Sequence, residues 1–485
     1  MLFNSPYYIF AFLPISVFIY FVLNQFKQSI AAKIWIVAAS LFFYGYWNTN
    51  YLILIIISML FNFSMGKWLH KTRSTSPFLQ RGIEGVGKKN RSRKAILIIG
   101  ILFNIGLLAY YKYSDFIIAN INALFTADLP MLNLLLPLAI SFFTFQQVAY
   151  LVDCYKSDTQ EYNLLNYCLF VTFFPQLIAG PIVHHKEMMP QFYDINNSRF
   201  NSNNLAKGLF IFCIGLFKKV AIADTFAIWA NKGYDSLVLE ANAAISFLDA
   251  WGSSLSYTFQ LYYDFSAYSD MAIGAALMFN ILLPTNFNSP YKALNIQDFW
   301  RRWHMTLSRW LRDYVYIPLG GNRNGSYLTY FNLMLTFVIG GLWHGAAWTF
   351  IFWGVLHGCA IVIHRLWQQT GITLKPLIAW LITFLFIHFS WIFFRAEDMQ
   401  TAMYMIQAML GFNGVNLEQI QTSNNTLLCI ILFGLIAFFA KNSLQIGLNK
   451  SKYSIKDGLF VGITLFLSIV LGITSTSAEF LYFNF

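Results

Sequence analysis

Long apolar segments, separated by short polar stretches, recur along the whole chain. They lie at about residues 7–24, 33–47, 50–66, 95–111, 131–151, 244–283, 328–343, 346–364, 375–394, 426–440 and 458–474. A helix needs about 20 apolar residues to cross the hydrocarbon core of a bilayer, and several of these segments approach or exceed that length. The pattern predicts an all-α integral membrane protein whose helices cross the lipid bilayer many times.

Some segments depart from this simple pattern. Residues 172–181 contain two prolines and a glycine, which prevent a straight helix and favour a broken or re-entrant segment. Residues 114–125 and 402–410 are predicted as short helices at the membrane interface. Polar residues within the segment 131–151, Gln146 among them, either face a cavity or hydrogen-bond to a neighbouring helix.

Charge is scarce and unevenly placed along the chain. The 485 residues are 57% apolar and 11% charged, whereas soluble domains contain about 25% charged residues. Residues 67–94 hold nine lysines and arginines against Glu84 alone, so the positive-inside rule places this loop in the cytoplasm and the uncharged N-terminus outside. The net charge of +11 lies in such loops and sets topology, so it does not indicate nucleic-acid binding. Five scattered cysteines without Cys-x-x-Cys spacing indicate neither disulfides nor a metal site.

The most informative stretch lies between residues 296 and 357. Apolar residues recur at three- and four-residue steps from Phe299 to Tyr314, which is the period of one helix face. Residues 324–364 then contain no Asp, Glu, Lys or Arg, and His344 lies inside this run, flanked by glycines. A histidine in a membrane-length apolar run is costly to keep and is a candidate functional residue. The alternative is a structural histidine that is hydrogen-bonded to a neighbouring helix.

Two motifs in this stretch resemble the signature of the membrane-bound O-acyltransferase (MBOAT) family. They are Asp298-Phe-Trp-Arg-Arg-Trp-His304 and Gly341-Leu-Trp-His-Gly345, and their histidines match the two active-site positions of the family. The segment Phe174-Pro-Gln-Leu-Ile-Ala-Gly-Pro181 and the aromatic ending at 480–485 resemble the branch that O-acetylates bacterial polysaccharides. The resemblance covers most of the chain.

This resemblance implies a fold of roughly eleven spanning helices, with re-entrant and interfacial helices, around a central funnel. Residues 1–485 would form one polytopic domain in a bacterial cytoplasmic membrane, with the catalytic core region at 136–364. Acetyl-CoA, or an acyl carrier, would be the cytoplasmic acetyl donor, with no bound cofactor or metal. The acetyl group would cross the membrane to an extracytoplasmic acetyltransferase partner, which places it on alginate, another exopolysaccharide or peptidoglycan.

Acyl transfer from a thioester to a hydroxyl needs a base, donors for the oxyanion and a site that excludes water. Histidine titrates near neutral pH, so His344 is predicted to be the general base. On a helical projection His304 lies about 40–60° from Arg301 and Ser308, on a polar flank. His304 is predicted to hold the acyl carbonyl or to orient a substrate group.

Other polar and aromatic residues are candidates for supporting the site or lining a substrate tunnel. They are Trp300, Arg301, Arg302, Trp303, Ser308, Asp264, Asp270, Gln146, Gln176 and Trp343. The two aspartates lie in apolar surroundings, so each should pair with a cation, and the arginines at 301, 302 and 309 are candidates. These aspartates either orient the catalytic region or form structural ion pairs. Lys218 and Lys219 are predicted to extend toward the cytoplasmic interface.

Three other functions stay open. A related branch of the family, which transfers D-alanine to teichoic acid, shares the Arg-Trp-His signature. A proton-coupled transporter would use His344, Asp264 and Asp270 as a proton relay, although no internal repeat of the kind common in transporters is visible. A lipid-binding scaffold would not depend on His344.

Overall fold

Helices form the regular structure of the chain. The computed structural model describes residues 1–72, 83–156, 163–239, 245–414, 423–450, 452–474 and 479–483, and no β-strand occurs within these ranges. Six helices in this part of the chain are long and apolar enough to cross a membrane, namely Tyr8–Gln25, Asn50–Lys71, Arg91–Phe125, Trp348–Gln369, Pro376–Arg395 and Ile455–Thr474. The all-α, multi-pass architecture is therefore confirmed, and the number of eleven spans stays a prediction.

The chain divides into two compact units. The first comprises Met1–Leu209 and Ala272–Pro284, and the second comprises Phe210–Met271 and Thr285–Phe485. The helices of the first unit are α1 (Leu13–Gln25), α2 (Ser29–Gly45), α3 (Asn50–Lys71), α4 (Ile83–Phe125), α5 (Ile140–Lys156), α6 (Leu164–Thr172), α7 (Phe174–Leu177) and α8 (His185–Tyr193). A π-helical turn, Tyr8–Phe12, leads into α1.

The second unit contains most of the remaining helices. They are α9 (Ser202–Phe217), α10 (Asp224–Leu239), α11 (Phe247–Leu277), α12 (Ile296–Trp300), α13 (Met305–Leu311), α14 (Ser326–His344), α15 (Trp348–Gln369), α16 (Pro376–Arg395), α17 (Met399–Met409), α18 (Asn424–Phe439), α19 (Ser443–Leu448) and α20 (Ile455–Thr474). The start of α9 and the end of α11 belong to the first unit. A short 3₁₀ helix, Leu481–Phe483, follows α20.

Buried polar side chains join the helices of the first unit. Asn62 of α3 and Asn104 of α4 exchange hydrogen bonds of 3.0 and 2.6 Å. Gln147 of α5 donates to the Ser58 hydroxyl at 3.0 Å and accepts from the Tyr167 hydroxyl at 3.2 Å. Because no water is present inside a bilayer, such interhelical hydrogen bonds satisfy polar groups and fix which helices pack together.

Helices α14 and α15 of the second unit pack closely because glycines line their contact. A Cβ added at Gly341 would lie 2.3 Å from the Phe350 carbonyl oxygen, and one added at Gly354 would lie 2.5 Å from the Phe337 carbonyl oxygen. A side chain at either position would push the helices apart, as expected for small residues at membrane-helix contacts. This close hairpin holds His344 at the end of α14.

The basic stretch at 67–94 is only partly a loop, contrary to the prediction. Helix α3 continues to Lys71 and α4 begins at Ile83, so both helices extend into this stretch. Residues 73–82 lie outside the described residues. Lysine and arginine are good helix formers, so the helices continue beyond the apolar positions that hydropathy detects.

Two other predicted boundaries in the first unit are wrong, and one is confirmed. Residues 114–125 are the last turns of α4, so they are not a separate helix. The segment predicted at 131–151 becomes helical only at Ile140. The break predicted in 172–181 is confirmed, because α6 ends at Thr172 and α7 has four residues.

Candidate functional site

The signature stretch is not one continuous helix. Helices α12 and α13 are separated by a turn in which His304 has a left-handed backbone, with φ +42° and ψ +52°. The projection of His304 onto a polar flank beside Arg301 and Ser308 is therefore wrong, since it assumes regular helix geometry. His304 is fully buried. Non-glycine residues held in the left-handed region are uncommon and often mark functional sites.

A side-chain network defines which nitrogen of His304 carries a proton. The His304 Nδ1 lies 3.1 Å from the Oδ1 of Asn286, which also accepts from the Thr306 hydroxyl at 2.9 Å and faces the Thr306 backbone N–H at 3.4 Å. The Asn286 amide nitrogen donates to the Ser269 hydroxyl at 3.3 Å. An amide oxygen only accepts hydrogen bonds, so Nδ1 carries the proton and Nε2 keeps its lone pair.

The Nε2 of His304 is the ring nitrogen that makes no bond to Asn286. This atom is buried and has no hydrogen-bond partner within the described residues. Burial penalises the charged imidazolium and lowers the pKa of His304 to about 3, so the ring is neutral at physiological pH. A neutral ring with a lone pair at Nε2 can accept a hydrogen bond or a proton from a hydroxyl group.

His344 lies among aromatic rings at the end of α14. It is 2% exposed. Its ring centroid is 4.9 Å from Trp343, 5.0 Å from Phe394, 5.3 Å from Trp353 and 5.9 Å from Tyr482. Phe394 and Tyr482 come from beyond the 136–364 region in which the catalytic core was predicted.

The two signature histidines contact the same aromatic rings. The His304 ring lies 6.2 Å from Trp343 and 6.1 Å from Tyr482, both of which also contact His344. Phe265 completes the group, because it stacks on Tyr482 at 3.7 Å and meets the edge of His304 at 4.7 Å. We call these five side chains the histidine cluster. The fold thus brings His304, His344 and the predicted Trp343 to one buried place in the second unit.

The two aspartates of α11 pair with lysines instead of the arginines predicted. Asp264 Oδ1 lies 2.8 Å from the Lys219 ammonium, which also contacts Asp224 at 2.7 Å. Asp270 lies 2.8 Å from the Lys218 ammonium. The Lys219 side chain is 1% exposed, so the prediction that it extends to the interface is wrong. These ion pairs favour an orienting or a structural role for the two aspartates over a proton relay.

The polar candidates of the signature stretch make contacts of other kinds. Arg301 is exposed, and Arg302 pairs with Asp298 one helical turn earlier at 2.9 Å. The Ser308 hydroxyl donates to the Trp303 carbonyl at 3.5 Å, which is a local contact. Their roles in a substrate tunnel stay predictions.

Trp300 and Trp303 belong to the packing around α15 and α16. The Trp300 indole donates to His357 at 3.2 Å, and the other nitrogen of His357 lies 3.1 Å from the Ser390 hydroxyl. Trp303 is 1% exposed and packs 5.0 Å from Trp391. Both tryptophans therefore fix the signature turn against neighbouring helices.

Gln146 and Gln176 lie in the first unit. The Gln176 amide nitrogen donates to the Phe170 carbonyl at 2.7 Å, across the break between α6 and α7. The side-chain oxygens of both glutamines are buried without hydrogen-bond partners among the residues that the structure describes. They remain candidates, each with an acceptor available to a ligand.

Sequence reasoning missed Asn286, Phe265 and Tyr482. Asn286 lies in the loop before α12, where an asparagine carries no distinctive signal. Tyr482 lies in the aromatic ending noted above, which gives no indication of a contact with the histidines. Only the fold places these three side chains against His304.

The fold and the site together describe a multi-pass membrane protein with two histidines in a buried aromatic cluster. The model of the MBOAT, membrane-bound O-acyltransferase family, matches residues 126–396, a range that contains both histidines. The chain belongs to the MBOAT family and is an acyltransferase.

Three relatives illustrate the range of similarity. A peptidoglycan O-acetyltransferase of Helicobacter pylori is 45% identical, over 100% of this chain and 98% of the relative. A probable alginate O-acetylase AlgI of Pseudomonas aeruginosa is 38% identical, over 90% of this chain and 81% of the relative. A teichoic acid D-alanyltransferase of Bacillus subtilis is 27% identical, over 61% of this chain and 82% of the relative.

Proposed function

We propose that this acyltransferase moves an acetyl group from cytoplasmic acetyl-CoA across the membrane for the O-acetylation of extracytoplasmic peptidoglycan. The observation that carries the proposal is the histidine cluster, in which His304 and His344 contact the same rings. Peptidoglycan is preferred to alginate because the peptidoglycan O-acetyltransferase of Helicobacter pylori is more similar and aligns with the whole chain. The D-alanyltransferases match a smaller part of the chain, which favours acetate over D-alanine.

The chemistry is a transfer from sulfur to oxygen. His344 takes the proton of an acceptor hydroxyl as the oxygen attacks the thioester carbonyl carbon. The tetrahedral intermediate then collapses, the carbon–sulfur bond breaks, and the thiolate leaves and takes the proton from His344. The lone pair at Nε2 of His304 supports the orienting role among the two considered for this residue, because a nitrogen that only accepts cannot hold a carbonyl oxygen.

The aromatic rings of the cluster protect the reaction from water. A thioester in a site open to solvent would lose its acetyl group to hydrolysis. Trp343 and Tyr482 are both buried and contact both histidines. Excluding water also strengthens each hydrogen bond to the transition state.

The topology of the transfer follows from the distribution of charge. The basic residues at 67–94 favour a cytoplasmic position for that stretch and an extracytoplasmic N-terminus. Acetyl-CoA, a cytoplasmic metabolite, would then enter from the side of this stretch. The chain would lie in a bacterial cytoplasmic membrane. An extracytoplasmic acetyltransferase partner would receive the acetyl group and place it on the polymer outside that membrane.

The test is acetate on purified peptidoglycan from cells that depend on this chain for its O-acetylation. Mild alkali releases ester-linked acetate, which is then quantified, while immunoblots measure the chain in membranes. We expect His344→Ala, which removes the general base, to lower acetate by about 100-fold or more. His304→Ala removes the orienting contact and should lower acetate by about 100-fold. His388→Gln is the matched control, because His388 is equally buried and bonds to Thr258 instead of joining the histidine cluster.

Three outcomes would contradict parts of this proposal. Normal acetate in the His344→Ala strain at equal abundance would refute the catalytic role. Esterified D-alanine in place of acetate would identify the other branch of the family. In inverted membrane vesicles, labelled acetyl-CoA that never yields free CoA would exclude it as the donor.

A further inference from the structure

The segment Glu479–Phe483 carries Tyr482 into the histidine cluster. Tyr482 is buried, stacks on Phe265 at 3.7 Å, and lies about 6 Å from both histidine rings. The regular structure of this segment is a single 3₁₀ turn, Leu481–Phe483. A turn of this length has little helical stability of its own. Other groups must therefore hold it in place.

One buried ammonium group contacts this segment and also binds the helices around it. The Lys219 Nζ lies between Asp224 and Asp264, at 2.7 and 2.8 Å. It also lies 3.5 Å from the Glu479 carbonyl oxygen and 4.4 Å above the Phe480 ring. Lys219 thus joins the segment to the carboxylates of α10 and α11.

The second oxygen of Asp264 binds the next residue of the segment. Asp264 Oδ2 accepts from the Leu481 backbone N–H at 2.9 Å, while Oδ1 faces Lys219. A hydrogen bond to a charged acceptor is stronger than one between neutral groups, and a low dielectric strengthens it further. The carboxylate therefore fixes the residue immediately before Tyr482.

We propose that Lys219 and Asp264 are positioning residues for acyl transfer: they anchor the C-terminal segment so that Tyr482 closes the histidine cluster. The inference rests on the proposed function. It adds that acyl transfer depends on Lys219 and Asp264, although neither side chain contacts a histidine of the histidine cluster. The rate of transfer then scales with the fraction of molecules in which the segment is docked.

The chain supplies a matched control for a merely structural ion pair. Lys218 is the neighbouring residue and pairs with Asp270, which also accepts from the Ser443 hydroxyl. Both lysines therefore neutralise aspartates of α11, but the contacts of Lys219 reach the C-terminal segment. Replacing either lysine with methionine removes one positive charge beside an aspartate of α11, although Lys219 bridges two aspartates and Lys218 pairs with one. We expect only Lys219→Met to release the segment.

The first readout is the kinetics of acetyl transfer by the full chain in membranes. We expect Lys219→Met to lower kcat by about 10-fold or more with little change in the KM for acetyl-CoA, because the docked fraction falls. Lys219→Arg keeps the charge and should restore most of the rate. Lys218→Met should stay within about 3-fold of the unchanged protein, since it leaves the docked fraction intact.

The second readout is amide hydrogen exchange at residues 479–483, measured by mass spectrometry on the purified chain. The Leu481 N–H is protected by Asp264, so we expect Lys219→Met to speed its exchange by about 10-fold, and Lys218→Met to leave it unchanged. If Lys219→Met does not fold, Leu481→Pro takes its place. Proline removes the N–H donor at the first residue of the 3₁₀ turn and leaves the ion pairs in position.

The outcomes separate the two proposals. If the protein without substitutions transfers no acetyl group, the proposed function is refuted, whatever the exchange data show. If the unchanged protein is active, equal rates and equal exchange in Lys218→Met and Lys219→Met overturn the anchor. Faster exchange in Lys219→Met or Leu481→Pro with undiminished transfer also overturns it. Slower transfer with faster exchange in these variants, and neither in Lys218→Met, supports it.

Discussion

Replacing Asn286 tests whether the protonation of His304 matters to the reaction. The Oδ1 of Asn286 accepts from the His304 Nδ1 at 3.1 Å and from the Thr306 hydroxyl at 2.9 Å. Asn286→Leu keeps a side chain of similar size and removes this acceptor. The Nδ1 proton is then free to move to Nε2, which leaves His304 with a donor where it should accept a hydrogen bond from the substrate group that it orients.

The size of the effect follows from the hydrogen bond that is lost. A buried hydrogen bond contributes about 1 kcal/mol, and leaving a buried donor unsatisfied costs about 1–3 kcal/mol. A bias of about 1.4–2.8 kcal/mol toward the wrong tautomer lowers the reactive fraction by about 10- to 100-fold, at 1.4 kcal/mol per factor of ten. We therefore expect kcat to fall by about that factor, with KM for the donor little changed.

Asn286→Asp separates the tautomer from simple packing. A carboxylate at this position accepts the Nδ1 proton as well, so it restores the reactive tautomer. It also favours the imidazolium, which raises the pKa of His304 from its present value of about 3. Because the protonated ring has no lone pair, activity should fall on the acid side at a higher pH than in the unchanged protein.

The assay is the pH dependence of acetyl transfer in membrane vesicles at equal protein abundance. The expected order of rates at neutral pH is unchanged protein, then Asn286→Asp, then Asn286→Leu. An Asn286→Leu variant that folds and keeps its full rate would refute the reasoning. The reasoning would also be refuted if the activity of Asn286→Asp fell on the acid side at the same pH as that of the unchanged protein.

Two further predictions concern packing. Gly341→Val would put side-chain carbon within 2.3 Å of the Phe350 carbonyl oxygen, so we expect a destabilisation of about 1–3 kcal/mol or more, seen as a lower unfolding temperature and less protein in membranes. Trp300→Phe keeps an aromatic ring but leaves the buried His357 Nδ1 without its hydrogen-bond donor, so we expect a loss of about 1–3 kcal/mol in stability. Its acetyl transfer per molecule should hold within about 3-fold, and a loss as large as that of His344→Ala would place Trp300 in the reaction instead.

The sequence determined the properties that depend on local composition. Segments apolar enough to cross a bilayer, the break between α6 and α7, and the chemical capacity of His304 and His344 are all visible in the order of residues. Each depends on nearby residues, on hydropathy, proline geometry or side-chain type, so a linear reading captures it. The motif resemblance to the MBOAT family belongs to the same kind of information.

The tertiary structure decided the properties that depend on residues distant in the chain. The Leu481 N–H and the Asp264 carboxylate that receives it are 217 positions apart, and no periodicity relates them. The left-handed turn at His304 interrupts a pattern that looks continuous, because aromatic residues on either side of the turn face the same interior. Whether an aspartate meets Lys219 or an arginine is set by which helices pack together, since a charge inside a membrane protein pairs with the opposite charge that the fold brings within reach.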